Sequence, residues 1–154
     1  MKKIIFLFIF LSFNIFSQEI HDPYIGYWLL SNQKVIIEIQ KRENEYIGHV
    51  RWLKDFKYPV GDKMEGMEQI DRNNPNPILR NRKVLNLQVI GKLIKNEKNQ
   101  LVNGWVYDSW NGKTYYGSAT ILDNKTLKLK GSIDKFGILS YSFKIKKVNL
   151  KDYL

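Results

Sequence analysis

The sequence predicts an all-β domain whose strands close into one antiparallel up-and-down β-barrel. Short segments alternate apolar and polar residues with a period of two, which is typical of strands that have one face in water. Turn residues separate these segments at short intervals, and no window shows the periodicity of a long amphipathic helix. A closed barrel of about eight strands buries every apolar face and leaves no open sheet edge. A two-sheet sandwich is the alternative, because it would show the same periodicity.

Three predicted strands precede a long irregular stretch. Gly26–Leu30 ends at a polar turn over residues 31–33, and Val35–Gln40 follows with branched apolar residues at every second position. A charged turn over residues 41–45 then leads into Tyr46–Leu53. Tight polar turns between alternating segments indicate antiparallel hairpins.

Five predicted strands follow that stretch. The final two alternate most regularly, with apolar residues on one face and lysines or serines on the other, as expected where one face is buried. Short turns rich in Asn, Gly and Lys separate most of the five. In chain order they are Val84–Ile90, Gln100–Asp108, Thr114–Leu122, Thr126–Ile133 and Leu139–Val148.

Residues 54–77 form the one long connection without a convincing strand, 77 − 54 + 1 = 24 residues. Loops of this length in compact domains are usually functional lids or disordered segments. Met64 and Met67 lie among glycines, which indicates a mobile apolar flap over an opening. A disordered, highly charged excursion is the alternative.

Within and beyond that connection, Asp71–Leu87 combines prolines, asparagines and arginines. The X-Pro pairs favour extended backbone, and Pro77 suits the first position of one helical turn, Ile78–Arg80. Such a segment is not needed for the core of a barrel. We therefore expect it to lie across one end of the barrel.

The side chains of this segment support two interpretations. Arg80 and Arg82 could clamp a carboxylate or phosphate, because the guanidinium fork matches both groups. In the structural alternative, Asp71 pairs with one arginine and fixes the segment to the barrel, while Asn74 shapes the backbone.

Aromatic residues supply the remaining candidates for a binding site. Trp105 and Tyr107 share a strand face by the period-two rule, and aromatic linings with a few polar groups are typical of small-molecule sites. The alternative is that they fill the barrel centre, as is predicted for Trp28. The complete predicted ligand-binding set is Trp52, Asp71, Asn74, Arg80, Arg82, Trp105, Tyr107 and Tyr115.

The N-terminus is typical of an export signal. Lys2 and Lys3 precede the apolar segment Ile4–Phe16, and a small residue, Ser17, offers a cleavage site. The apolar segment is shorter than the roughly 20 residues that span a bilayer. We therefore predict a signal peptide over residues 1–17, a single domain over residues 18–154, no integral membrane segment after cleavage, and a periplasmic or secreted protein.

Composition narrows the functional classes. The net charge of +10 favours contact with anionic envelope surfaces or ligands, although a solvated basic exterior is the simpler explanation. The chain has no cysteine, so disulfides and a lipid-anchored cysteine are excluded, and its two histidines suggest neither a triad nor a metal site. We therefore predict neither an enzyme nor a cofactor. Nucleic-acid binding is also disfavoured, because the lysines are spread around the exterior.

Several motifs together resemble the domain-of-unknown-function family DUF2147, small exported bacterial proteins with a lipocalin-like barrel. The resemblance extends from about Ile25 to Lys147. It rests on Gly26-Tyr27-Trp28, Trp52-Leu53, Asp71-x-x-Asn74-Pro75, Leu79-Arg80-x-Arg82-x-x-Leu85-x-Leu87, Gly104-Trp105-Val106-Tyr107-Asp108, Gly112-Lys113-Thr114-Tyr115 and Leu127-Lys128-Leu129-Lys130-Gly131.

Three positions depart from the family pattern. Ser109 stands where members usually have proline, Ser132 where they have an aromatic residue, and Leu139–Ile145 lacks their Gly-Arg-Thr-x-Thr-Trp closing strand. No ligand contact on that strand is therefore carried over. The resemblance implies a lipocalin-like fold, export and a role with a small hydrophobic ligand, so we predict binding of a small hydrophobic, amphipathic or anionic molecule at the barrel mouth. A structural or interaction protein of the cell envelope is the alternative.

Overall fold

The structure is a computed structural model that describes residues 22–154. The predicted signal peptide and its cleavage site after Ser17 lie outside the described residues. The regular structure of these described residues consists of eight strands and two short 3-10 helices, Pro77–Leu79 and Leu150–Tyr153. The strands are β1 (Gly26–Leu29), β2 (Val35–Arg42), β3 (Glu45–Leu53), β4 (Gln88–Lys95), β5 (Leu101–Asp108), β6 (Lys113–Asp123), β7 (Thr126–Ser132) and β8 (Ser140–Val148).

The eight strands form a closed antiparallel up-and-down barrel. Each strand pairs with its sequence neighbours, and β1 also pairs with β8 through Trp28 opposite Lys147. Closure therefore leaves the sheet without a free edge. The barrel prediction is confirmed, and the sandwich alternative is wrong.

The fourth strand begins later than the sequence indicated. The prediction of Val84–Ile90 is wrong at both ends, since β4 runs from Gln88 to Lys95. Asn86 has a left-handed φ of 68° and Leu87 closes a turn onto the carbonyl of Val84. Val84 and Leu87, whose apolar side chains led to the prediction of a strand here, are buried as part of the long loop.

The single helical turn of the central segment is present. Pro77 is the first residue of the 3-10 helix, and the side chain of Asn76 caps it by accepting from the amide of Ile78. Proline suits this place because its fixed φ matches the helix and it has no amide hydrogen to satisfy.

One end of the barrel is closed by packed side chains. Tyr24 is fully buried, and its hydroxyl donates to the carbonyl of Asn99 at 2.7 Å. Its ring lies edge-on to Tyr46, at 5.8 Å between centroids. The indole of Trp28 donates to the carbonyl of Tyr24 at 2.8 Å and is wholly enclosed, so its predicted core position is confirmed.

Four connections leave the opposite end, because alternate turns of an up-and-down barrel lie together. These are the β1–β2 turn, the long loop of residues 54–87, the β5–β6 turn and the β7–β8 hairpin. We call this end the mouth.

Candidate functional site

A cavity of about 300 Å³ lies within the mouth of the barrel. Its sides are the inward faces of seven of the eight strands and its rim is the β1–β2 and β5–β6 turns. Most lining residues are aliphatic or aromatic. They are Leu30, Val35, Ile37, Val50, Val89, Val106, Tyr107, Trp110, Tyr115, Leu129, Gly131, Tyr141 and Phe143, with Ser31, Asn32, Asp108 and Ser109 as the polar members.

The β5–β6 turn owes its shape to Asp108. The carboxylate accepts from the backbone amide of Trp110 at 2.9 Å and from the Asn111 side chain at 2.6 Å. The amide of Gly112 donates to the Asp108 carbonyl at 2.8 Å. These bonds hold the half-exposed indole of Trp110 at the rim of the cavity.

The long loop is attached to this turn by backbone contacts. The Asn73 side chain donates to the carbonyl of Trp110 at 2.5 Å. Gly112 has a φ of 69°, and a Cβ at this position would collide with the carbonyl oxygen of Asn73. Glycine is required here both by its conformation and by the close approach of the loop.

A buried carboxylate connects the loop to β5. The Asp71 carboxylate is completely enclosed and accepts from the hydroxyl of Tyr107 at 2.6 Å, from the side-chain Nδ2 of Asn74 at 2.8 Å and from the guanidinium of Arg82 at 2.7 Å. Burial, followed by the adjacent Asp71 carboxylate, raises the pKa of Tyr107 to about 12. A buried carboxyl group is costly unless it is hydrogen-bonded, and these three donors satisfy both oxygens of Asp71.

The two arginines predicted to bind a ligand, Arg80 and Arg82, are engaged within the loop. Arg82 pairs with Asp71, and the Nε of Arg80 donates to the carbonyl of Asn74 at 2.8 Å. Neither lines the cavity. The geometry matches the structural interpretation raised from the sequence, in which Asp71 and an arginine fix the segment to the barrel.

The predicted site residues divide into three groups. Tyr107 and Tyr115 line the cavity, while Asp71, Asn74, Arg80 and Arg82 form the hydrogen-bonded cluster that reaches Tyr107. The other two lie elsewhere. Trp52 packs against Tyr153 at 5.2 Å between ring centroids, and Trp105 covers Gly91 on the neighbouring strand.

The predicted flap does not border the cavity. Within residues 22–154, no member of the 54–87 loop lines it. The loop folds back on itself instead, with the amide of Tyr58 donating to Met67 and a bridge joining Ile70 to Lys83. Met67 projects outward and is largely exposed.

Several residues that line the cavity were not predicted from the sequence. Tyr141 and Phe143 line the cavity from β8, on the strand where no ligand contact was carried over from the family. The regular apolar and polar alternation of β8 could have identified them, because it places Tyr141 and Phe143 on the same face as buried Ile145. The valines of the lining gave no signal of their own, since any barrel core contains them.

Neither 3-10 helix among residues 22–154 has the length or hydrophobicity to cross a bilayer.

Comparison with a solved structure supports the architecture. The chain is similar to protein HP1028 from the human pathogen Helicobacter pylori, described as belonging to the lipocalin family. The TM-score is 0.69 at 26% sequence identity, over 84% of this chain and 85% of the other. Among curated proteins, none matches the chain.

The sequence resemblance is confirmed at the level of the family. The family model described as an uncharacterized protein conserved in bacteria, DUF2147, matches residues 26–146. That range includes all eight strands except the last two residues of β8. The chain belongs to the DUF2147 family and has its lipocalin-like barrel.

Proposed function

We propose that the protein binds one small apolar or neutral amphipathic molecule in the mouth cavity. The observation that carries this proposal is an unfilled space of about 300 Å³ among valine, leucine and aromatic side chains. Ligand pockets begin at about this size, and an apolar cavity of about 150 Å³ in another protein holds benzene. A lipocalin-like fold is consistent with the same role.

The lining favours a neutral ligand over an anion. Within the described part of the chain, no lysine, arginine or histidine lines the cavity. Its polar members are Ser31, Asn32, Ser109 and the acceptor Asp108. A hydroxyl on the ligand could donate to Asp108 at the rim while its apolar body lies between the strands.

The anionic ligand that the sequence suggested would require a different arrangement. Arg82 would have to leave the buried Asp71, and Arg80 would have to leave the carbonyl of Asn74. Breaking a buried ion pair is costly because it leaves an uncompensated charge. We therefore assign these arginines to the attachment of the loop.

Two fluorescent probes test whether the cavity prefers a neutral ligand to an anionic one. N-phenyl-1-naphthylamine is neutral, and 8-anilinonaphthalene-1-sulfonate is its close relative with a sulfonate. We expect saturable binding of the neutral probe at one site per chain, with an affinity about tenfold or more above that of the anion, since an unpaired charge is costly to bury. Tighter binding of the sulfonate would contradict the neutral-ligand assignment. Binding of neither probe would support a structural protein of the cell envelope.

A pair of variants on β5 locates the probe. Val106→Phe places extra volume in the cavity, whereas Val102→Phe makes the same change at a residue that faces away from it, opposite the half-exposed Ile94. We expect loss of neutral-probe binding only in Val106→Phe. Thermal unfolding of both variants verifies that they remain folded, and equal probe binding by the two would contradict the site.

We also propose that the protein acts after export. Support comes from the basic start and the apolar segment Ile4–Phe16. The intact mass of the protein from its own cells tests this. We expect a chain that begins at Gln18, and a chain that retains Ile4–Phe16 would contradict it.

A further inference from the structure

We propose that the tip of the β7–β8 hairpin, residues 133–139, docks the protein on an anionic lipid surface. The tip stands at the mouth, beside the cavity. This surface is separate from the ligand site, and its function does not depend on whether the cavity is occupied.

An apolar strip runs along the inner face of this hairpin from the core to the tip. Opposed pairs along it are Leu127 with Ile145 in the core, Leu129 with Phe143 and Gly131 with Tyr141 at the cavity, and Ile133 with Leu139 beyond it. Ile133 and Leu139 are both mostly exposed. The hairpin thus continues its apolar face past the barrel, where no strand covers it.

The end of the hairpin is the most exposed apolar part of this strip. Phe136 is 88% exposed and Ile138 is 81% exposed. Contiguous exposed apolar surface of this kind marks an interaction site, and large hydrophobic residues beside cations are typical of interfacial membrane anchors.

The hairpin presents these residues in a fixed conformation. The carboxylate of Asp134 accepts from the amides of Ile138 at 3.1 Å and Leu139 at 2.6 Å. The buried hydroxyl of Ser132 donates to the carbonyl of Asp134 at 2.6 Å. Backbone amides thereby hold the pKa of Asp134 below its ordinary value. A rigid tip loses little conformational entropy when it inserts.

The charge around this strip matches an anionic surface. Asp134 is the only acidic residue between Thr126 and Val148, and its charge is bonded to the hairpin backbone. Within residues 22–154, none of the lysines of the outer face and tip forms a salt bridge. Lys135 lies in the tip and Lys130 lies near it, whereas Lys128, Lys144 and Lys146 lie farther along the strands toward the closed end. Each lysine near an anionic leaflet raises the affinity by about fivefold.

Flotation of the mature chain, residues 18–154, with lipid vesicles tests the proposal. The vesicles are phosphatidylcholine alone, or phosphatidylcholine and phosphatidylglycerol in equal parts. We compare Phe136→Ser/Ile138→Ser with Val60→Ser/Ile78→Ser, a matched pair in the long loop at 88% and 85% exposure. Wild type and all variants begin at Gln18, the N-terminus expected after export, so the apolar segment Ile4–Phe16 cannot anchor them in the vesicles.

We expect wild type to float with the anionic vesicles and much less with phosphatidylcholine alone. The tip variant should partition about tenfold less, since two apolar side chains no longer insert, while the loop variant changes by less than about twofold. Equal loss in both pairs, or equal binding to both vesicles, would overturn the proposal. Because the four substituted residues are exposed, unfolding temperatures should remain those of wild type.

Two further variants separate the possible failures. Lys135→Gln, in the tip, should weaken flotation with anionic vesicles only, and more so at low salt. The cavity-filling Val106→Phe should float like wild type, so that loss of probe binding and loss of membrane binding are distinguishable. Light scattering without lipid measures the oligomeric state, which tests whether the hairpin tip binds a second copy of the chain instead of a lipid surface. A wild-type dimer that Phe136→Ser/Ile138→Ser abolishes, without vesicle binding, would overturn the proposal.

Discussion

The hydroxyl of Tyr107 donates to the carboxylate of Asp71 at 2.6 Å, across 36 positions of sequence. Tyr107 also lines the mouth cavity, and Asp71 lies in the loop that joins β3 to β4. This bond therefore connects the wall of the candidate site to the one long loop of the barrel.

Removal of this hydroxyl should destabilise the protein. Tyr107→Phe leaves one oxygen of a fully buried carboxylate without its donor, which costs about 1–3 kcal/mol. Tyr115→Phe is the control, since that hydroxyl meets only the exposed Asn111 side chain at 3.3 Å, and should cost less than about 0.5 kcal/mol. Urea denaturation measures both, and similar losses in the two variants would contradict the role of Asp71.

The hydrogen bond between Tyr107 and Asp71 also predicts that the stability of the protein depends on pH in the alkaline range. Burial, then the Asp71 carboxylate, raises the pKa of Tyr107 from 10.0 to about 12. Between these values the folded protein retains a proton that the unfolded chain has released, so the free energy of unfolding falls as the pH rises through this window. Below pH 10 the contribution is fully present.

Burial also raises the pKa of Tyr24 and Tyr46, so these tyrosines contribute to the loss of stability at alkaline pH. The contribution of Tyr107 is therefore isolated by comparing wild type with Tyr107→Phe. We expect the stability of wild type to decline more steeply between pH 10 and about 12 than that of Tyr107→Phe. Parallel stability curves for the two proteins, measured by chemical denaturation, would be inconsistent with the raised pKa.

Alanine substitutions at two glycines distinguish the cost of backbone strain from the cost of displacing the long loop. Gly112 and Gly61 both have left-handed φ, of 69° and 87°. A Cβ at Gly112 meets the Asn73 carbonyl, whereas one at Gly61 meets open space. Each alanine costs about 1 kcal/mol or more for its conformation, and Gly112→Ala should cost additional stability because the loop must move. Thermal unfolding of the two variants checks the order, and equal losses would argue against the contact between turn and loop.

The fold could be predicted largely from alternation. Leu127, Leu129 and Ile145 repeat at every second position and are all buried. The exception was β4, because Asn86 and Lys92 adopt left-handed φ of 68° and 56°. This conformation is uncommon for residues other than glycine, and even asparagine adopts it only in a minority of cases. The true start of the strand and the register shifts in its pairing with β3 were therefore not predicted.

The candidate site was predicted less completely. Tyr107 and Tyr115 were predicted as aromatic candidates for the lining of a pocket, and both line the cavity. Arginine chemistry alone could not distinguish a ligand clamp from an internal ion pair; the observed contact of Arg82 is with buried Asp71. The cavity itself is an absence of side-chain volume, which only the assembled barrel reveals.

Methyl NMR of the protein with bound N-phenyl-1-naphthylamine shows whether the probe lies in the mouth cavity. We expect nuclear Overhauser effects from the probe to the methyl groups of Val50, Val89 and Val106, which line the cavity, and to the rings of Tyr141 and Phe143. Effects confined to Ile138 at the hairpin tip or to Ile78 on the long loop, with none to the valines, would show that the cavity does not hold the probe.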